Sequence, residues 1–90
     1  MVTKRYLFKR FDEISKMVDC FAISNYDVLD DALVYAINAS LDHLKYYFPS
    51  LEDDIEVVMN VNTISKCAEV NFLILNMKRE IERGTVRDLC

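Results

Sequence analysis

Leu7, Phe11, Ile14, Val18 and Phe21 step along the chain by four, three, four and three positions, the spacing that lines one face of an α-helix. The opposite face carries Arg5, Lys9 and Lys16, with Asp12 interrupting the stripe. Thr3 is a suitable cap, so the pattern predicts a first helix over about 3–22. The run Ser24-Asn25-Tyr26-Asp27 then has the form of a capping box with Asp in place of Glu. Asp30 and Asp31 follow in the early turns, where a helix N-terminus favours negative charge. A second helix is expected over about 26–47. Its apolar stripe is Leu29, Leu33, Ala36, Ile37, Ser40, Leu41, Leu44 and Phe48. The small residues Ala32, Ala36, Ala39 and Ser40 would let another helix approach closely. Pro49 ends the segment, because the residue before a proline resists the helical conformation.

Ser50-Leu51-Glu52-Asp53 again looks like a capped start with acids in the first turn. The segment 54–62 reads two ways. Ile55, Val58, Met59 and Asn62 fit a helix, whereas Ile55, Val57, Met59 and Val61 alternate like a strand. A short helix is preferred, since no neighbouring segment offers a strand partner and a lone hairpin is marginal. The last helix is expected from Asn62 or Thr63 to Arg83. One track on it holds Ile64, Cys67, Ala68, Asn71, Leu75, Lys78 and Glu82; another holds Val70, Leu73, Ile74, Met77 and Ile81. Apolar residues thus cover much of its circumference, as on a helix that is central or shared between two chains. Gly84 stands where a left-handed C-cap belongs, and Lys78, Arg79 and Arg83 sit in the closing turns, where the dipole favours cations. Residues 85–90 are expected to fray.

Composition sharpens the fold class. Gly84 and Pro49 are the sole glycine and proline of a 90-residue chain that is 52% hydrophobic, so tight reversals are few. The expected architecture is all-α: a three- to four-helix antiparallel bundle in a single domain, residues 1–90. A domain of this size buries roughly two-thirds of its unfolded surface, which leaves apolar surface to cover. The expectation is a homodimer through the C-terminal helix, with Leu73, Met77 and Ile81 as the contact.

The cysteines Cys20, Cys67 and Cys90 are odd in number and widely spaced, and the polar, basic start of the chain does not resemble an export signal. Both point to a reducing, cytoplasmic setting. Cys20 and Cys67 then read as small buried hydrophobes and Cys90 as an exposed thiol. No apolar run has the length of a membrane span.

Charge is segregated. Residues 1–18 carry five bases against two acids, a net +3; residues 19–56 carry nine acids against Lys45 alone, a net −8; residues 57–90 carry five bases against four acids, a net +1. Such a block steers association with oppositely charged partners.

Chemistry-bearing motifs are missing. His43 is the one histidine, in Asp42-His43-Leu44-Lys45. Histidine phosphotransfer domains place one residue between the His and an aliphatic-Lys pair and a Gly after it. Here Leu44 follows at once and Tyr46 holds the Gly position, so His43 reads as a surface residue beside Asp42. One histidine makes no metal site of ordinary spacing, and no glycine-rich loop exists to cradle phosphate. Asp30-Asp31 and Asp53-Asp54 are explained by their positions at helix starts. No catalytic residue, cofactor or metal is expected.

The sequence therefore favours a small non-enzymatic protein–protein interaction module, a regulator, adaptor or assembly subunit. Its size and simplicity also suit a viral protein. An apolar helix face would bury against the partner, and Asp27, Asp30, Asp31, Asp53 and Asp54 would steer the encounter. The cluster Tyr46-Tyr47-Phe48 suits either core closure or an interface anchor. Two alternatives use the charges differently. A helical dimer could lay Arg5 and Lys9, with Arg79, Arg83 and Arg87 at i, i+4 and i+8, across nucleic-acid phosphates, against a pI near 4.8. An acidic mimic of nucleic acid would bind a basic protein instead.

Overall fold

The computed structural model describes the backbone of residues 1–23, 28–61 and 63–90 and the side chains of residues 1–22, 31–61 and 65–90. Its elements are α1 (Lys4–Ile23), α2 (Val28–Lys45), a 3-10 turn (Pro49–Leu51), α3 (Glu52–Met59) and α4 (Thr63–Arg83). The start of α1 follows its sequence signal. Thr3 Oγ1 accepts the Tyr6 N–H at 3.0 Å, satisfying a donor that the first turn leaves free. Val2 and Leu7 flank this cap and both enter the core, the arrangement of a hydrophobic staple. Leu7, Phe11, Ile14, Val18 and Phe21 are all buried.

Among the described residues of α2, Ile37, Leu41 and Leu44 are buried; Leu29 of the expected stripe lies outside the described side chains. The helix stops at Lys45, two residues earlier than expected. Tyr47 N–H bonds Leu44 O at 3.0 Å and Phe48 N–H bonds Lys45 O at 3.3 Å, tightening the exit. Pro49 then opens the 3-10 turn at a position that needs no N–H. Ser50 does not cap α3, whose N-cap residue is Leu51 without a side-chain bond. Segment 52–59 is helical: Ile55 and Val58 face inward three residues apart while Val57 faces out.

The close pairings are α1 with α2, α1 with α4, α2 with α3, and α3 with α4. Helices α1 and α3 therefore stand diagonally across the bundle. Cross-helix contacts give the directions. Tyr6 reaches His43, Cys67 reaches Val18 and Lys78 covers Phe8, so α1 runs antiparallel to both α2 and α4. The all-α antiparallel bundle is the observed architecture. Phe11 anchors its core, edge-on to Phe8 at 5.6 Å and tilted against Phe48 at 6.1 Å.

Helix α4 closes as its glycine requires. Gly84 takes φ +75°, with Gly84 N–H on Ile81 O and Thr85 N–H on Glu80 O, each at 3.2 Å. This pair of bonds is a Schellman motif. Three expectations are corrected. Residues 85–90 do not fray: Val86 is buried, Arg87 N–H bonds Tyr47 O at 2.8 Å, and Leu89 pairs with Val2. Cys20 is exposed rather than buried, because it lies off the α1 stripe. Leu73, Met77 and Ile81 are 2%, 0% and 6% exposed within their own chain, since they are the face of α4 that α1 and α3 already cover. In this fold they are core, and the large apolar residues described on α4 that stay open are Phe72 and Leu75.

Candidate interaction surface

The inward turn of Ile55 and Val58 on α3, and of Val70, Leu73, Ile74 and Met77 on α4, forces other apolar residues outward. Val57 is 64% exposed and Phe72 59%. Together with Asp54, Val58, Glu69, Leu73 and Asn76 they line an open groove of about 150 Å³ between α3 and α4. Leu75, one turn on from Phe72, and Ala68, one turn before it, extend the apolar strip along the outside of α4. Sequence reasoning placed Val57 and Phe72 in no site. Their signal was present, because both fall off the inward track of an otherwise apolar run.

Of the acids expected to steer a partner, Asp53 and Asp54 are exposed in the first turn of α3, where the helix dipole favours them. Asp54 lines the groove and Glu69 faces it from α4. Asp31 is exposed near the start of α2 and lines no part of it. Asp27 and the Asp30 side chain lie outside the described residues.

Beneath this surface α3 is clasped to α4 by a residue that the sequence reading passed over. Lys66 is 1% exposed. Its ammonium donates to Val58 O at 3.1 Å and Met59 O at 2.9 Å, carbonyls that end α3. Burial holds its pKa below the ordinary lysine value. The clue was its place one turn before Val70, on the inward track.

The basic residues do not form the expected stripe. Arg79 and Arg83 are exposed on α4, and Arg83 lies 3.9 Å from Glu80. The helix ends at Arg83, so Arg87 leaves the line and stacks over the Tyr46 ring at 4.8 Å. Arg5 and Lys9 do lie together, in an open surface groove on α1 shared with Thr3, Tyr6, Arg10 and Glu13. Tyr6 hydroxyl meets His43 Nε2 of α2 at 3.2 Å, which places this basic groove on the α1–α2 side, across the bundle from the α3–α4 groove.

The remaining candidates for chemistry are dispersed. His43 is exposed and edge-on to Tyr47. Lys45 bridges Asp42 at 3.5 Å and Glu56 at 3.2 Å, and these partners raise its pKa, Glu56 foremost. Tyr46 donates to Asp88 at 2.7 Å, a bond that raises the pKa of the phenol. The Cys67 thiol donates to Val18 O at 3.7 Å; burial first and Asp19 second push its pKa up, the opposite of an activated thiolate. Among the described residues no group of three or more His, Cys, Asp or Glu is placed to hold a metal. No helix among them is long and apolar enough to cross a membrane. Comparison with known protein families, curated proteins and solved structures gives no match.

Proposed function

We propose that this chain is a small non-enzymatic protein-interaction module whose working surface is the α3–α4 groove. The observation that carries the reading is the Val57–Phe72 pair, held open to solvent with acids at its edge. An aromatic and a β-branched residue on adjacent rigid helices offer a partner apolar area without first having to be ordered. Asp53, Asp54 and Glu69 add a negative rim that favours a partner with basic residues around an apolar centre, and that raises the rate of encounter. The nucleic-acid alternative has weaker support, because Arg87 has left the Arg79–Arg83 line.

The test is fluorescence anisotropy with a labelled basic amphipathic helical peptide. Binding to the wild type is expected at roughly micromolar strength, and Phe72→Ala should weaken it about tenfold, the scale of a hot-spot truncation. Asp53→Asn with Asp54→Asn should slow association and flatten its salt dependence. Equal binding by Phe72→Ala, or no binding by the wild type, overturns the reading.

A further inference from the structure

The partner surface that the α3–α4 groove calls for is present on the same chain, on the opposite side of the bundle. Helix α3 carries Glu52, Asp53, Asp54 and Glu56 and no base. Helix α1 carries Lys4, Arg5, Lys9, Arg10 and Lys16 against Asp12, Glu13 and Asp19. The two helices stand diagonally, so these charges cannot neutralise one another within one molecule. Arg5, Tyr6 and Lys9 line an open groove together with Thr3, Arg10 and Glu13. Across the bundle, Phe72 is 59% exposed on α4, an apolar knob in the wall of the α3–α4 groove that Asp54 and Glu69 also line. Each surface offers an aromatic side chain, and the charges are complementary: Asp54 and Glu69 on one, Arg5 and Lys9 on the other, where the one acid, Glu13, is already paired with Arg10 at 3.0 Å.

We infer that the occupant is a second copy of this chain, docked head to tail, with the Phe72 knob of one copy seated in the Arg5–Tyr6–Lys9 groove of the next. The inference rests on the interaction reading above and names its partner. Seating Phe72 there sets an aromatic ring against Tyr6 and beneath two cations. It also brings Asp54 and Glu69 to Arg5 and Lys9, around a dry centre rather than alone in water. The molecule measures 40 × 23 × 17 Å, so its long faces are of the size that supplies the roughly 800 Å² per partner of an ordinary interface. The contact is heterologous: each copy keeps one free groove and one free knob, so association continues beyond two unless the rotation closes a ring.

Sedimentation velocity of the full chain across concentration tests this. The wild type is expected to grow beyond a dimer with rising concentration at low salt, and to dissociate in roughly 0.5 M salt. Two variants each block one side at exposed positions, Phe72→Glu on the knob and Arg5→Glu with Lys9→Glu on the groove. Circular dichroism confirms that each folds. Each alone should stay monomeric, weakened at least about tenfold. Their equimolar mixture should form a finite 1:1 pair, because one intact knob meets one intact groove while the two altered faces are both acidic and repel. A mixture that stays monomeric overturns the inference, as does self-association that survives either block. A wild type that never associates, yet binds the basic peptide through Phe72, overturns this inference and leaves the interaction reading standing. Protection of Arg5 and Lys9 by a single-stranded oligonucleotide, with no self-association, overturns it in favour of nucleic acid.

Discussion

Glu80 is a carboxylate that the fold has drawn inward and then satisfied. Its Oε1 accepts from the Ser50 hydroxyl and its Oε2 from the Thr85 hydroxyl, both at 2.7 Å, with Arg83 at 3.9 Å. The Ser50 bond, then the Thr85 bond, hold its pKa below the ordinary 4.5. In the unfolded chain the group therefore takes up its proton at a higher pH than in the folded one. The stability it contributes is complete above about pH 4.5 and is lost as pH falls through the folded value. Glu80→Gln is expected to cost about 1–2 kcal/mol at neutral pH, by weakening two charge-assisted bonds. The difference from wild type should shrink as pH falls through the folded value and vanish once Glu80 is protonated in both states. Urea melts at several pH values check this, and a pH-independent difference refutes it. In the sequence Glu80 reads as an acid interleaved among arginines. Its role depends on Ser50, thirty residues away, a partner no local pattern announces.

At the scale of elements, α1 and α4 are legible because their apolar steps keep helical period over four or more turns. Thr3 and Gly84 then mark the ends through backbone chemistry that does not depend on neighbours. Helix α3 is harder to read, since Ile55, Val57, Met59 and Val61 alternate. Only the neighbours decide it: α2 and α4 bury Ile55 and Val58, three apart, and leave Val57 in water. The C-terminus of α3 has no glycine to close it and uses Lys66 of the next helix instead. That exchange is visible only once α3 and α4 are folded back on one another. Two opposed terms set its worth. Burying an ammonium is costly, but its acceptors are carbonyls at the negative end of a helix dipole. Replacing it takes a donor from both, although Val58 O keeps the Val61 N–H at 3.2 Å. Lys66→Met is expected to destabilise the chain by about 1.5 kcal/mol, with an unchanged m value in urea. A neutral or stabilising outcome would show that desolvation outweighs the clasp.

For the whole molecule, only part of the charge segregation read from the sequence becomes opposite sides of the bundle: acidic α3 stands diagonal to basic α1, while Asp31 and Asp42 of the same acidic block lie on α2 beside it. The apolar working face was legible as an excess of oil but not as an address. Two apolar tracks run along α4, and the sequence does not say which of them α1 and α3 will cover. They cover Leu73, Met77 and Ile81 and leave Phe72 and Leu75. The same closure explains the segment after Gly84. A bundle this small has little core to spare, and residues 85–90 add to it. Val86 is buried, Val2 N–H bonds Asp88 O at 2.9 Å, and Cys90 N–H bonds Val2 O at 2.7 Å. These bonds tie the start of α1 to the chain beyond α4, while Arg87 N–H on Tyr47 O ties it to the end of α2. Val86→Asp puts a charge where that apolar contact was, at an expected cost of about 2 kcal/mol. For a chain of this length the Tm should fall by roughly 10 °C. Hydrogen exchange separates this from general loosening. The amides of Val2, Arg87 and Cys90 should lose protection together, because their bonds depend on one docked segment, while those in the middle of α1 and α4 stay protected. Uniform loss across all of them would mean that the segment is part of the cooperative core and not a strap laid over it.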